Sequence, residues 1–179
     1  MLKKILLGLG VVIVLLVVGF QIMKYNTKKA SPEVLSTYSI DNNQINIFYC
    51  SPRKKGRDVF PEVVPFGEVW RTGANEASTF TNSKDILVEG ERLKAGTYSL
   101  WTIPGQEEWE IIFNSEVPGW GVGMGAKAAR KAEADVLSVR VPTNVNPNQI
   151  QEELVIKVEN KALIMAWDDM IVKARLSNP

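Results

Sequence analysis

The sequence predicts an antiparallel all-β domain, a sandwich or jelly-roll-like fold of eight or nine short strands, behind one apolar helix that spans a membrane. Three observations carry this. Ile5 through Phe20 holds only apolar side chains and glycine. From Tyr38 onward, short runs alternate apolar and polar residues with a period of two, the spacing of a strand with one buried face. Clusters of Asp, Asn, Gly and Pro separate those runs at regular intervals, as in antiparallel sandwiches and barrels.

The helix comes first in the 179-residue chain. Its apolar run, extended past Gln21 by Ile22 and Met23, is about the length that crosses a hydrocarbon core of roughly 30 Å. A cleaved signal peptide is the alternative. The length of the run and the lack of a small-x-small pattern behind it favour an uncleaved signal anchor. No cysteine lies near residue 20 to carry a lipid. Lys3 and Lys4 face Lys24, Lys28 and Lys29 across the span, so the positive-inside rule leaves orientation nearly tied. Gly8 and Gly10 are two apart and make no GxxxG dimer motif. Residues 1–29 are read as anchor and basic flank, 30–36 as a linker, and 37–179 as the β domain.

Within the domain, Tyr38-Ser39-Ile40 leads into the turn-forming Asp41-Asn42-Asn43. Ile45, Ile47 and Tyr49 then alternate with Asn46, Phe48 and Cys50 until Pro52 ends the strand. Val59 to Pro65, with two prolines, is expected to be irregular. Thr79-Phe80-Thr81 and Ile86-Leu87-Val88 are short strands. Thr97–Ile103 and Trp109–Phe113 flank Pro104-Gly105-Gln106-Glu107 and form the strongest hairpin in the chain. Tyr98, Leu100 and Thr102 share one face of it, Ser99, Trp101 and Ile103 the other. Gly119–Gly125, four glycines around Trp120, is expected to be a mobile loop, and the Ala/Lys/Arg/Glu-rich Ala126–Ala134 a short helix. Asp135–Val141, Leu154–Val158, Ala162–Trp167 and Ile171–Leu176 complete the strands, the last three separated by Glu159-Asn160-Lys161 and Asp168-Asp169.

Composition limits the chemistry. There is no histidine, hence neither the commonest general base nor the commonest metal ligand. The single cysteine, Cys50, forms no internal disulfide and no Cys/His zinc site. A carboxylate-bound Ca²⁺ stays open, but no EF-hand spacing occurs, so neither metal nor cofactor is expected. The five lysines before residue 30 leave 16 Lys+Arg against all 20 acids, a charge of about −4 on the remainder. A mildly acidic domain is not a general nucleic-acid binder. The expected partners are the membrane and a small ligand.

The candidate site is the stretch from Pro65 to Thr79. Gly67 and Gly73 break any long helix there, yet it holds Trp70, Arg71, Asn75 and two carboxylates, Glu68 and Glu76. Arg71 offers five N–H donors in a planar fork, and Asn75 and Glu76 offer acceptors. Such a loop is either a knot of buried polar contacts holding it to the sheet or a pocket for a small anionic or polar ligand. A third reading, a hydrolase with Glu76 as acid or base, needs a second group such as Glu68 or Tyr98. In the ligand reading Arg53 and Arg57, from the basic loop Ser51–Asp58, stand at the rim, and Glu76 orients Arg71. Cys50 is expected to be a small apolar residue on a strand rather than a nucleophile. Trp70, Trp101, Trp109 and Trp167 are expected in the core and Trp120 against a ligand. With no nucleophile elbow and no histidine, the chain reads as a binding or scaffold module rather than an enzyme.

Several motifs recur together: Tyr49-Cys50-Ser51-Pro52-Arg53, Val64-Pro65-Phe66-Gly67-Glu68-Val69-Trp70-Arg71-Thr72-Gly73-Ala74-Asn75-Glu76-Ala77, Ala95-Gly96-Thr97-Tyr98-Ser99-Leu100, Ile103-Pro104-Gly105 and Trp109 with Ile112-Phe113-Asn114. In this order they resemble the bacterial family called domain of unknown function 2911, over roughly Val34 to Leu176. The resemblance implies an extracytoplasmic domain behind a secretion signal or anchor at the cytoplasmic membrane, and no reaction. The chain departs from the pattern after Trp120, where a more aromatic strand is expected in place of Gly121 to Ala134.

Overall fold

The computed structural model describes residues 2–179. A 29-residue helix, α1 (Leu2–Ala30), opens the chain and is about 43 Å long at 1.5 Å per residue. Within it Leu6–Ala30 is long and apolar enough to cross a membrane; its most apolar 18-residue window has a mean hydropathy of 2.7, and no part of that window is buried in the protein. An apolar helix that meets the rest of the protein only near its C-terminal end fits a membrane anchor or a signal sequence.

Twelve strands follow among the described residues: β1 (Glu33–Ile40), β2 (Asn43–Cys50), β3 (Thr79–Asn82), β4 (Ile86–Val88), β5 (Glu91–Leu93), β6 (Gly96–Ile103), β7 (Glu108–Asn114), β8 (Asp135–Pro142), β9 (Asn144–Val145), β10 (Gln151–Glu159), β11 (Ala162–Asp168) and β12 (Met170–Ser177). One sheet runs β1-β2-β3-β6-β7-β8. The other runs β10-β11-β12-β4-β5, with β9 added to β12. Every pairing is antiparallel. The expected antiparallel sandwich therefore forms. The short strand Ile86–Val88 forms as expected, and the additional strands β5 and β9 have only three and two residues, too few for alternation to reveal.

The two sheets close around one apolar core because alternate residues of every long strand are apolar. Ile45, Ile47, Phe80, Leu100, Ile111, Phe113, Leu163, Val172 and Leu176 are among its fully buried members. The sandwich is nearly closed along one seam, where the backbone after β2 pairs with β10: Lys54 N donates to Glu152 O (2.8 Å) and Leu154 N to Pro52 O (3.0 Å).

Three local expectations change. β1 begins at Glu33, inside the stretch read as linker, because it pairs along its whole length with β2. Ala126–Ala134 is not a helix. Single 3₁₀ turns stand at its two ends, Met124–Ala126 and Ala132–Ala134, since nine residues after a glycine-rich run cannot nucleate a helix without a face to bury. The Gly119–Gly125 loop is tied down rather than loose: Gly121 N donates to Asn75 O (2.8 Å), Gly123 N to Lys127 O (2.8 Å) and Ala129 N to Gly121 O (3.1 Å).

Candidate functional site

The stretch Pro65–Thr79 is positioned by β6. β3 covers only the first half of that strand, through Ser99. The stretch takes over beyond it: Leu100 N donates to Ser78 O (2.7 Å), Trp70 N to Thr102 O (2.7 Å) and Thr102 N to Trp70 O (3.0 Å). On the inner side Trp70 stacks on Trp167 with ring centroids 5.8 Å apart, and meets Trp109 edge-on at 6.3 Å and Phe60 at 6.4 Å. On the outer face of the sheet a second small core of Ala77, Trp101 and Ile112 is covered by Val69, Ile103, Ala128 and Ala129. Four of the five tryptophans thus serve the core, as the alternating pattern predicts.

The loop's own polar groups are largely satisfied inside it. Ser78 Oγ donates to Thr72 O (2.7 Å), Thr72 Oγ1 lies 3.2 Å from Thr102 Oγ1, and Trp70 Nε1 donates to Gly73 O (3.2 Å). Ala74 N donates to Cys50 O (3.1 Å). Gly73 is required here, because a Cβ on it would sit 3.0 Å from both Cys50 O and Ser78 Oγ.

Arg71 is the exception. Among the described residues the other six arginines pair with a carboxylate or, for Arg57, with backbone carbonyls. Arg71 does neither. Its Nε is buried with no hydrogen-bond partner, and is the one charged group among the four buried side-chain atoms in that condition. Burial pulls its pKa down, opposed only by the nearby Cys50 sulfur. That sulfur supplies no counter-charge at neutral pH. Burial, and then the Glu76 carboxylate beside it, push the Cys50 thiol up to about 11. Arg71 and Trp70 line a cavity of about 150 Å³ together with Val63, Val64, Pro65, Glu68, Val69, Val122, Ala126 and Ala128. Across its roof lies the glycine-rich loop. A Cβ on Gly121 would clash with the Cβ, Cγ and Cδ of Arg71, so glycine at 121 lets this backbone rest directly on the arginine stem.

Asn75 and Glu76 belong to a different cluster. Asn75 Nδ2 donates to Thr27 O of α1 (3.3 Å). Glu76 does not orient Arg71. Its Oε1 lies 3.0 Å from Lys28 Nζ, which also pairs with Glu33, and its Oε2 accepts from Cys50 Sγ (3.3 Å). Burial alone would raise the Glu76 pKa. The Lys28 ammonium and the other hydrogen bonds it accepts outweigh that and hold it low. Donor atoms of Glu33, Cys50 and Glu76 lie within 4.8 Å of one another, which is close enough to share a cation, but the Lys28 ammonium already lies against both carboxylates. Sequence reasoning missed this latch because its partners are 48 residues apart, on a helix and a loop.

Arg53 and Arg57 do not line the Arg71 cavity. Arg53 pairs with Glu153 (2.5 Å), and Arg57 donates to Lys54 O (2.9 Å) and Arg53 O (3.0 Å), folding its basic loop onto itself. Lys54 pairs with Asp168, whose other oxygen accepts from Val59 N (3.1 Å), so Asp168 does more than turn the chain.

Residues 31–176 match the family model described as a protein of unknown function (DUF2911). No curated protein and no solved structure matches the chain.

Proposed function

The chain belongs to the DUF2911 family of proteins of unknown function, and within that family we propose a membrane-anchored module that binds a small anion at Arg71. The observation that carries the proposal is a half-buried arginine with no ion pair, whose Nε is fully buried without a hydrogen-bond partner, set in the wall of a cavity. A buried N–H donor left without an acceptor costs about 1–3 kcal/mol, and an incoming carboxylate or phosphate offsets that cost with bidentate hydrogen bonds. The cavity volume admits a molecule of only a few heavy atoms. Arg53 and Arg57 take no part, and Asn75 and Glu76 support the site from behind through the loop they hold. The apolar α1 and the family resemblance support a single-pass anchor in the cytoplasmic membrane with the domain outside the cytoplasm.

Binding is favoured over turnover. Cys50 is held as a thiol, and Glu76 is held ionised, whereas a general acid at neutral pH needs a raised pKa.

The test is a thermal melt of the wild type and of Arg71→Lys, each with and without a panel of phosphates, carboxylates and sugar acids. We expect at least one small anion to raise the wild-type midpoint and to leave Arg71→Lys unmoved, because a point charge does not replace the fork. If no compound moves the wild type and Arg71→Lys alone lowers the midpoint, Arg71 is a structural residue.

A further inference from the structure

The loop from Val117 to Ala132 has a composition and a place that the Arg71 site does not explain. Val122, Ala128 and Ala129 face the Arg71 cavity and the second core, but two larger apolar side chains point outward: Met124 is 99% exposed and Val117 47%. It carries Lys127, Arg130 and Lys131 and no acid. Lys127 is exposed with no ion pair among the described residues, whereas Arg130 and Lys131 are tied to Asp135 and Glu116. Trp120 and Gly119 form one wall of a cavity of about 460 Å³ whose other wall is Phe20, Met23 and Lys24 of α1. Counting roughly 20 residues for a hydrocarbon core of about 30 Å, a span beginning at Leu6 ends near Tyr25. Trp120 therefore stands level with the last turn of the span, where Trp and Tyr gather at membrane interfaces. Tyr25, 69% exposed, is at the same level.

We propose that the Val117–Ala132 loop is a second membrane contact, seated in the lipid headgroup region beside α1 with Val117, Trp120 and Met124 turned toward the acyl chains and Lys127 toward lipid phosphates. An amphipathic, basic segment is bound at such an interface by its apolar area and by anionic lipid. Its continuity with the apolar surface of α1 selects lipid as the occupant. The consequence for the chain is orientation: with α1 and this loop both held at the bilayer, the roof over Arg71 is fixed against the membrane surface. This inference rests on the reading of α1 as an uncleaved anchor.

The test uses the full chain in nanodiscs containing anionic lipid. Cys50 is buried, so single cysteines introduced as Met124→Cys and, as a control, Ser39→Cys take a nitroxide label selectively. Ser39 is exposed on β1, six residues and roughly 20 Å along the strand from Glu33, which contacts Lys28 of α1. Power-saturation electron paramagnetic resonance then compares access of oxygen and of a water-soluble nickel chelate. We expect the ratio of oxygen to nickel access to be several-fold higher at 124 than at 39. Equal ratios in a chain that resists carbonate extraction would overturn the second contact alone. A label at 124 shielded from both reagents would mean a protein partner and overturn it as well. Release of the chain by carbonate would overturn the anchor and this contact together.

Discussion

Arg71 and its neighbours differ in how their charges are met. Cys50, Glu76 and Lys28 satisfy one another, whereas Arg71 forms no ion pair among the described residues, although Glu68 lines the same cavity. The consequence is measurable without any ligand. Arg71→Met keeps the stem that Gly121 rests on and removes the unpaired charge. We expect the variant to be as stable as the wild type or more so by roughly 1–3 kcal/mol, since replacing a poorly compensated ion in a partly buried site by an apolar group is often stabilising; chemical denaturation measures it. A clear loss of stability would mean that the guanidinium holds the fold together. The sequence made Arg71 legible as a residue in need of a partner. It did not show that Glu76 belongs to Lys28, because nothing in the local spacing ties residue 76 to residue 28.

At the scale of elements, the roof over the site is held at both ends. Gly121 N bonds to Asn75 O at one end. At the other Arg130 Nε donates to Asp135 Oδ1 (2.9 Å), with Asn114 Nδ2 donating to the same oxygen (2.8 Å). Gly121→Ala places a methyl against the Arg71 stem. We expect it to cost about 1–3 kcal/mol, in the range of overpacked interiors, and to abolish the midpoint shift by any anion; melts with and without ligand check both. Burial alone would raise the Asp135 pKa, but the Arg130 guanidinium and Asn114 outweigh it and leave it depressed. A depressed carboxylate contributes stability that is present above its unfolded pKa, near 3.9, and lost as pH falls toward its folded value. Asp135→Asn should therefore lower stability by roughly 1–3 kcal/mol at neutral pH, with the gap to wild type closing below about pH 4. A gap that does not narrow at all as the pH falls below about 4 would contradict the ion pair. The elements themselves were legible to the degree that they alternate. The β6–β7 hairpin, with Leu100 inward and Trp101 outward, follows directly from its sequence. Ala126–Ala134 did not, because its helix-forming residues have no apolar face, and the glycines before it offer backbone partners that a helix would forgo.

Across the whole molecule, the sandwich, the apolar helix and the candidate site form a chain of contacts. The last turn of α1 sets Thr27 and Lys28 against Asn75 and Glu76. Asn75 holds the glycine-rich loop, and that loop covers Arg71. The apolar helix and the β architecture were readable from periodicity alone, while the meeting of α1 with the site depends on tertiary distances that no single window of sequence contains. An unpaired Arg71 awaiting a small anion is the central claim, and its guanidinium resonances test it most directly. Nuclear magnetic resonance of the ¹⁵N-labelled full chain in nanodiscs, with the Arg71 Nε–H signal assigned by its absence in Arg71→Met, follows that group alone while phosphate or a short carboxylate is added. We expect the signal to shift and saturate, while those of Arg92 and Arg140, already paired with carboxylates, stay in place. A signal that does not move for any anion in the panel, or that moves in parallel with Arg92 and Arg140, would contradict it.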